Sequence, residues 1–412
     1  RRHTRYKLVT GVQTCALPIL AIMRAQREQI PIVLGSATPS LESLHNALQG
    51  RYHHLQMTQR AGGAQAAQHH LLDVKHLPLQ AGIAPQLLQL MDEQLAAGNQ
   101  VMLFLNRRGY APALLCHDCG WVAACPHCDA FYTWHQQDKK LHCHHCDHIR
   151  PVPHQCPECH SQNLVSSGVG TEQLAQFLEQ RFPAYKTIRI DRDNTRRKGE
   201  LEAHLNAIRR QEYQILLGTQ MLAKGHHFPD VTLVGILDVD GALFAADFRA
   251  TERLAQLCVQ VAGRAGRASK PGMVVLQSHH PEHALLQDLL NNGYHHFART
   301  CLQERQALML PPFSYQAVLR GDCPNREPLE QFMQQAAQIC HHYGAPDLQL
   351  LGPVSPVMER RAGRYRMLLM LQCPQRMHLQ HYLQQLLPAI DNLTIHHSLR
   401  WHLDVDPLEI AG

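Results

Sequence analysis

CHDCGWVAACPHC (residues 116–128), CHHC (143–146) and CPEC (156–159) place four Cys-x-x-Cys pairs within 44 residues of one chain. The pairs are Cys116/Cys119, Cys125/Cys128, Cys143/Cys146 and Cys156/Cys159. A Cys-x-x-Cys turn points two thiolates at one metal at about 2.3 Å, and two such turns close a tetrahedral site without water. Eight cysteines in four turns are the ligand count for two Zn2+ ions. The intervals between successive pairs, x5, x14 and x9, allow sequential, crossed or nested pairing. Nesting is favoured, because x14 leaves room for a hairpin through Phe131-Tyr-Thr-Trp134. The first zinc then takes Cys116, Cys119, Cys156 and Cys159, and the second takes Cys125, Cys128, Cys143 and Cys146. The outer four close the neck of an insertion. An iron–sulfur cluster or redox dithiols fit less well, since redox Cys-x-x-Cys motifs usually occur singly near a βαβ unit. His117, His127, His142, His144, His145 and His148 crowd the cluster. Eight thiolates already satisfy two metals, so these histidines read as surface or supporting groups. No open coordination position is implied, and the zinc reads as structural. Trp121, Phe131, Tyr132, Trp134, Lys139 and Lys140 suit nucleic acid or a protein partner, but equally a small core with solvated lysines.

On both sides of the cluster the pattern is strand and helix in alternation. Short apolar strands at 100–105, 187–190, 214–217, 231–237 and 272–277 alternate with helices at 84–97, 171–181, 199–210 and 249–261. That alternation argues for a parallel sheet. In the helix at 84–97, Leu87, Leu88, Met91 and Leu95 share one face. Residues 31–35 (PIVLG) read as a further short buried strand, and 41–49 as a helix with Ser40 as N-cap. Residues 51–80 read as irregular, with extended pieces near Tyr52 and at 71–74. A helical stretch from about Pro281 runs to Leu308 and breaks at Pro311-Pro312. Strands at 314–319, 367–371 and 399–405 then mix with amphipathic helices at 327–342 and 377–387. The fold class is α/β. Segments 81–115 and 160–280 form one lobe, 116–159 a two-zinc insertion, and 281–412 a separate α+β domain. VTGVQTCALPI (9–19) resembles a translated sequencing adapter, so residues 1–19 are expected to be non-native and the chain to begin mid-domain.

The 412 residues carry 39 basic and 34 acidic side chains, a net charge of +5. That permits a polyanionic partner without demanding one. Thirty-one histidines, many in pairs, make the charge climb steeply below about pH 6.5. Fourteen cysteines do not make this a secreted disulfide scaffold. Such scaffolds are small domains short of core. Here eight cysteines have metal spacing, and Cys15, Cys258, Cys301, Cys323, Cys340 and Cys373 are scattered. No apolar run reaches the roughly 18 residues of a membrane span, and no signal peptide is evident. A reducing cytoplasm is the expected location.

Three further strings carry chemistry. SATPS (36–40) follows an apolar stretch, and strand C-termini are where ligands bind in open α/β sheets. QVAGRAGR (260–267) sets Arg264 and Arg267 three apart, with glycines that permit close backbone approach to a charged ligand. The guanidinium fork suits phosphate oxygens, and an arginine from a second lobe can stabilise charge developing at a γ-phosphate. GTQMLAKGHHFPD (218–230) offers glycine, threonine and lysine at a strand exit, suited to a nucleotide or a phosphate backbone. Arg192, Arg196, Arg197 and Lys198 suit DNA or a solvated loop equally.

Taken together, these residues resemble a superfamily 2 helicase, and within it the bacterial replication-restart family of PriA (primosomal protein N′). The resemblance is carried by SATPS, FLNRRGYAPALLCHDCGW (104–121), the eight cysteines, GTEQL (170–174), RIDRD (189–193), GTQMLAKGHHFPDV (218–231), DVDGALF (238–244), QVAGRAGR and WHLDVDP (401–407). It implies a RecA-like helicase lobe with an inserted double zinc ribbon, nested zinc pairing, and residues 20–80 as a remnant of the first lobe and linker. It implies ATP-driven 3′ to 5′ movement on DNA, recognition of stalled forks and assembly of the primosome. Partners would be forked or single-stranded DNA, primosome proteins and single-stranded-DNA-binding protein, with no membrane. Gln260, Arg264 and Arg267 would be the catalytic group, with Arg267 the arginine finger. Gly225 and Asp230 would couple ATP to DNA, and Ser36 and Thr38 would couple hydrolysis to strand movement. The sequence contains no Gly-x-x-x-x-Gly-Lys-[Ser/Thr] loop and no Asp-Glu-x-His motif. The family carries both upstream of the Ser36 position. ATP and Mg2+ are therefore assigned to the full-length parent, and the chain alone is expected not to hydrolyse ATP. The non-enzymatic alternative is a zinc-dependent DNA or protein docking module. A zinc-ribbon protein of translation or transcription would lack the helicase strings.

Overall fold

Strands that are apolar on both faces need cover on both faces, and the chain supplies it with helices. The computed structural model describes residues 13–57, 67–105, 113–127, 131–135, 140–143, 148–166, 171–190, 199–218, 228, 230–245, 247–263, 272–344, 346–357 and 359–410. Two compact units form, one of Gly50–Cys301 and one joining residues up to Gln49 with Leu302–Ile410. In the latter lie α1 (Gln13–Glu28) and α2 (Leu41–Leu48). Ser40 caps α2 as its position suggests, accepting the Ser43 N–H at 3.2 Å. Residues 31–35 do not form the expected strand. Ile32, Val33 and Leu34 are exposed, because no strand among the described residues pairs with them to bury either face.

The unit Gly50–Cys301 opens with β1 (Gln68–Asp73), α3 (Pro85–Ala96) and β2 (Gln100–Phe104). The cysteine ribbon follows, with β3 (Leu114–Cys116), β4 (Thr133–His135), β5 (Lys140–His142), β6 (Ile149–Pro151) and β7 (Leu164–Ser166). β3 and β7 pair antiparallel at its neck, and β4-β5-β6 form a small antiparallel meander. The alternation then resumes: α4 (Thr171–Arg181), β8 (Thr187–Ile190), α5 (Glu200–Arg209), β9 (Ile215–Gly218), β10 (Val231–Ile236), α6 (Asp240–Leu243), α7 (Ala250–Ala262) and β11 (Met273–Ser278).

Six strands form one sheet in the order β1-β11-β10-β2-β9-β8, every neighbouring pair parallel. β2, β9 and β10 are buried along their whole length, as a sheet covered on both faces requires. Leu87, Leu88, Met91 and Leu95 of α3 and Leu174, Leu178 and Phe182 around α4 share one core with this sheet. β1 joins the sheet edge although it lies within the 20–80 stretch read as remnant and linker.

α8 (Ala284–Ala307) is kinked at Gly293, where φ is +76°. The remaining elements are β12 (Tyr315–Cys323), α9 (Arg326–Tyr343), β13 (Gln349–Val354), β14 (Arg360–Arg361), β15 (Arg364–Cys373), α10 (Arg376–Asp391) and β16 (Arg400–Val405). The antiparallel sheet runs β13-β15-β12-β16, with β14 added to β15. α9 and α10 bury Leu329, Phe332, Met333, Leu379, Leu383 and Leu386 against it, giving the expected α+β domain.

At Gly235 in β10, the neighbouring strand β2 and helix α3 both pack close. A Cβ there would stand 2.7 Å from Leu103 Cδ2 and 3.0 Å from Leu87 Cδ2. Both leucines are fully buried, so any shift of their ends repacks the core. Gly235→Ala should therefore destabilise the lobe by about 1–3 kcal/mol through overpacking, read as a lower urea midpoint with unchanged slope.

Candidate metal centre

Two knuckles of the ribbon share one backbone plan. In the first, Cys116 N–H donates to Trp121 O at 2.7 Å and Gly120 N–H to Cys116 O at 2.9 Å. In the second, Cys156 N–H donates to Ser161 O at 2.7 Å and His160 N–H to Cys156 O at 3.0 Å. The residue after each second cysteine, Gly120 (φ +81°) or His160 (φ +60°), is left-handed. This turn aims both thiols of a knuckle the same way. The β3–β7 ladder pairs Cys116 with Leu164 and so brings the second knuckle onto the first. The Sγ atoms of Cys116 and Cys159 lie 3.6 Å apart, as do those of Cys119 and Cys156. All four are within 4.8 Å of one another. A tetrahedral zinc with 2.3 Å bonds has sulfur–sulfur edges of about 3.8 Å. The four thiols fit that cage.

Burial, with the crowding of the other thiols, pushes Cys119 up to about 12, and burial raises Cys116 too. Cys156 moves the other way: burial opposes it, but backbone hydrogen bonds from Cys159 and Glu158 hold it below the ordinary thiol value. A divalent cation takes the place of the protons that such a group otherwise keeps. Asp118 braces the pair of knuckles, accepting from the Ser161 hydroxyl and from Asn163 Nδ2 at 3.0 Å. The Ser161 hydrogen bond, above all, holds its carboxyl below the usual range.

Of the inner set, Cys125 and Cys143 are buried in one cluster with Leu114, Ala123, Tyr132 and Leu141. Burial, with both cysteines nearby, pushes the Tyr132 phenol up to about 12. Arg150 covers the Tyr132 ring, its guanidinium carbon 4.9 Å from the centroid. Cys128 and Cys146 lie outside the described residues, as do Gly225, Arg264 and Arg267. Gln260 sits half-buried in the last turn of α7. Asp230 precedes β10, its carbonyl accepting the Gln100 N–H at 2.9 Å. Thr38 is buried and donates its N–H to Ser36 Oγ at 3.0 Å, in the other compact unit. The structure thus gathers the outer thiols.

Sequence reading missed the way the first knuckle meets the sheet. Asp240, in DVDGALF, accepts the His279 N–H at 2.8 Å, the Ser278 hydroxyl at 2.5 Å and His279 Nδ1 at 2.7 Å. His279 Nε2 meets His117 Nδ1 at 2.9 Å, and His117 Nε2 meets Leu77 O at 2.9 Å. A carbonyl and a carboxylate only accept. The two rings thus link the Leu77 carbonyl to the Asp240 carboxylate. Against the cost of burial, the hydrogen bonds from His279 and Ser278 hold Asp240 low. Its stabilising contribution is present above the unfolded carboxylate value of about 4 and is lost as acid protonates it. Asp238 is the opposite case: burial pushes it up to about 6. The folded lobe favours its protonated form, so its cost grows as pH rises from about 4 through 6. These groups, with His76, Leu77, Leu105, Leu115 and Val165, line a cavity of about 580 Å³ between the strand ends and the first knuckle.

A six-stranded parallel sheet covered by helices, in a chain that carries QVAGRAGR between the last turn of α7 and β11, defines the class: the chain contains the C-terminal lobe of a helicase. Residues 159–269 match the helicase conserved C-terminal domain. Residues 125–151 match the Cys-rich region of PriA DNA helicase, a zinc-ribbon family, and 306–408 match the primosomal protein N C-terminal domain. The chain belongs to the PriA family of replication restart proteins. It is 50% identical over 392 residues to replication restart protein PriA of Haemophilus influenzae, covering 95% of this chain and 53% of that protein. It is 38% identical over 375 residues to that of Bacillus subtilis, covering 89% and 46%. The chain spans about half the length of the curated relatives it matches.

Asp240→Asn turns an amide donor toward groups that already donate. It should cost about 2–4 kcal/mol, seen as a fall in the urea midpoint of the lobe.

Proposed function

We propose that this chain supplies the second motor lobe, a double zinc ribbon and the C-terminal domain of an ATP-dependent 3′–5′ DNA helicase that restarts stalled forks and assembles the primosome. The observation that carries the reading is the position of the ribbon, between β2 and α4 inside a helicase lobe. In this reading the lobe runs from β1 to β11, and Arg264 and Arg267 act on nucleotide phosphates held mainly by the first lobe. Gln260 belongs to the same catalytic group. Gly225, Asp230, Ser36 and Thr38 couple nucleotide state to DNA movement. ATP and Mg2+ are cofactors of the assembled two-lobe enzyme. DNA, primosome proteins and single-stranded-DNA-binding protein are its partners, in the cytoplasm. No helix among the described residues is long and apolar enough to cross a membrane.

Zinc, when bound, supplies structural cross-links and no reactive water. Cys116, Cys119, Cys156 and Cys159 would hold one ion and Cys125, Cys128, Cys143 and Cys146 the other. Metal analysis should give two zincs in these ribbons per chain. A strong chelator should open 116–159 to protease while β8 to β11 stay protected; a ribbon that resists cleavage after complete metal loss counts against the assignment.

The competing reading is a DNA or protein docking module without catalysis. The 412-residue chain alone should release no phosphate from ATP above background, with or without DNA. In the two-lobe enzyme, Arg267→Ala should cut DNA-stimulated turnover by roughly 10³-fold or more while DNA affinity changes little. Unchanged turnover would favour the docking reading.

A further inference from the structure

The C-terminal unit gathers three side chains of metal-ligating types. Asp347 precedes β13, Cys373 ends β15 and His378 lies in the first turn of α10. Pairing of Gln349 with Gln372 sets Asp347 beside Cys373. α10 begins three residues after Cys373 and carries His378 to the same place. Cys373 Sγ is 3.4 Å from Asp347 Oδ2, and His378 Nδ1 is 2.6 Å from that same oxygen. Tyr382 donates its hydroxyl to the other oxygen at 3.2 Å and fixes the carboxylate. The ligand atoms of the trio lie within 4.8 Å of one another. Among the described residues, this trio and the outer ribbon thiols are the two groups that converge so closely. Cys373 is fully buried, while the side chain of His378 is 48% exposed. The sulfur is therefore shielded, and an ion still has a way in.

A tetrahedral zinc with bonds of about 2.3 Å to sulfur and 2.0 Å to oxygen holds those atoms about 3.5 Å apart. The sulfur and carboxylate already stand at that spacing. The nitrogen–oxygen edge would be about 3.3 Å by the same bond lengths, so the exposed ring must withdraw a little as the ion replaces a proton. Thiolate, imidazole and carboxylate together suit zinc and similar transition ions, whereas magnesium and calcium take oxygen donors. We propose that Asp347, Cys373 and His378 form a further binding site for one zinc-class divalent cation, separate from the cysteine ribbons, with water as the fourth ligand. Binding needs Cys373 as thiolate and a free lone pair on His378 Nδ1. The thiol proton leaves to solvent, and the ring proton leaves to solvent or moves to Nε2. The ion would staple the start of α10 to the end of β15 and the turn before β13.

The probe is Co2+, which does not outcompete zinc for thiolate sites. The full chain is given two equivalents of zinc, enough for its eight ribbon thiolates and no more, and is then titrated with Co2+ and followed by near-ultraviolet thiolate-to-cobalt absorption. One further equivalent is expected, with the intensity of a single thiolate. His378→Gln and Asp347→Asn should weaken it by more than the roughly 10- to 100-fold that loss of an outer partner costs, with the ribbon zinc content unchanged. Cys373→Ser should abolish the band, but that side chain is part of the core, so the exposed His378 variant decides. Absence of a cobalt equivalent beyond the ribbons, or equal binding by the wild-type and His378→Gln chains, overturns the site.

Discussion

The structure depends on closing one neck. The chain leaves the parallel sheet after β2, builds a ribbon, and must return before α4 can begin. The β3–β7 ladder at that neck has only three residue pairs, Leu114 to Cys116 against Leu164 to Ser166. So short a ladder is marginal by itself. Four thiols stand directly above it, close enough for one cation to hold all of them. Closing a long loop costs entropy that grows only slowly with length, so a cross-link at the neck holds nearly the whole insertion. The Asp118 contacts to Ser161 and Asn163 repeat that closure with hydrogen bonds.

The closed neck is also fastened to the lobe. Asp240 follows β10, His279 follows β11, and the two histidines join the carboxylate to the knuckle. Parallel strands deliver all their C-terminal ends to one side, which is why polar groups from distant parts of the chain meet there. Gly120 marks the closeness of the fit: a Cβ on it would stand 3.1 Å from the His279 carbonyl.

Elements buried on a regular face were legible. α3, with its four apolar residues on one side, and the strands β2, β8, β9, β10 and β11 fall within a residue or two of their sequence readings, because burial imposes the period. β13 was not legible, since Gly352-Pro353 inside it carries the signal of a turn. Residues 31–35 misled in the opposite sense: they have the composition of a buried strand but no neighbour to bury them. β1 begins Gln68-His69-His70 and reads as polar, which an edge strand tolerates. The His117–His279 contact spans 162 positions and has no local pattern to announce it.

By itself the sequence determined which chemistry the ribbon offers. A knuckle is a four-residue turn, so its thiol pair, its left-handed following residue and its affinity for a soft ion are local properties. The spacing left three pairings of the knuckles open, although the hairpin room favoured one. The tertiary structure decided which thiols share a cage, because only the pairing of β3 with β7 sets Cys116 and Cys119 opposite Cys156 and Cys159. It alone also decided that a histidine inside the knuckle should meet the histidine that a buried carboxylate holds on the sheet. Such a contact exists only where two strand ends and a distant turn are held within hydrogen-bond reach.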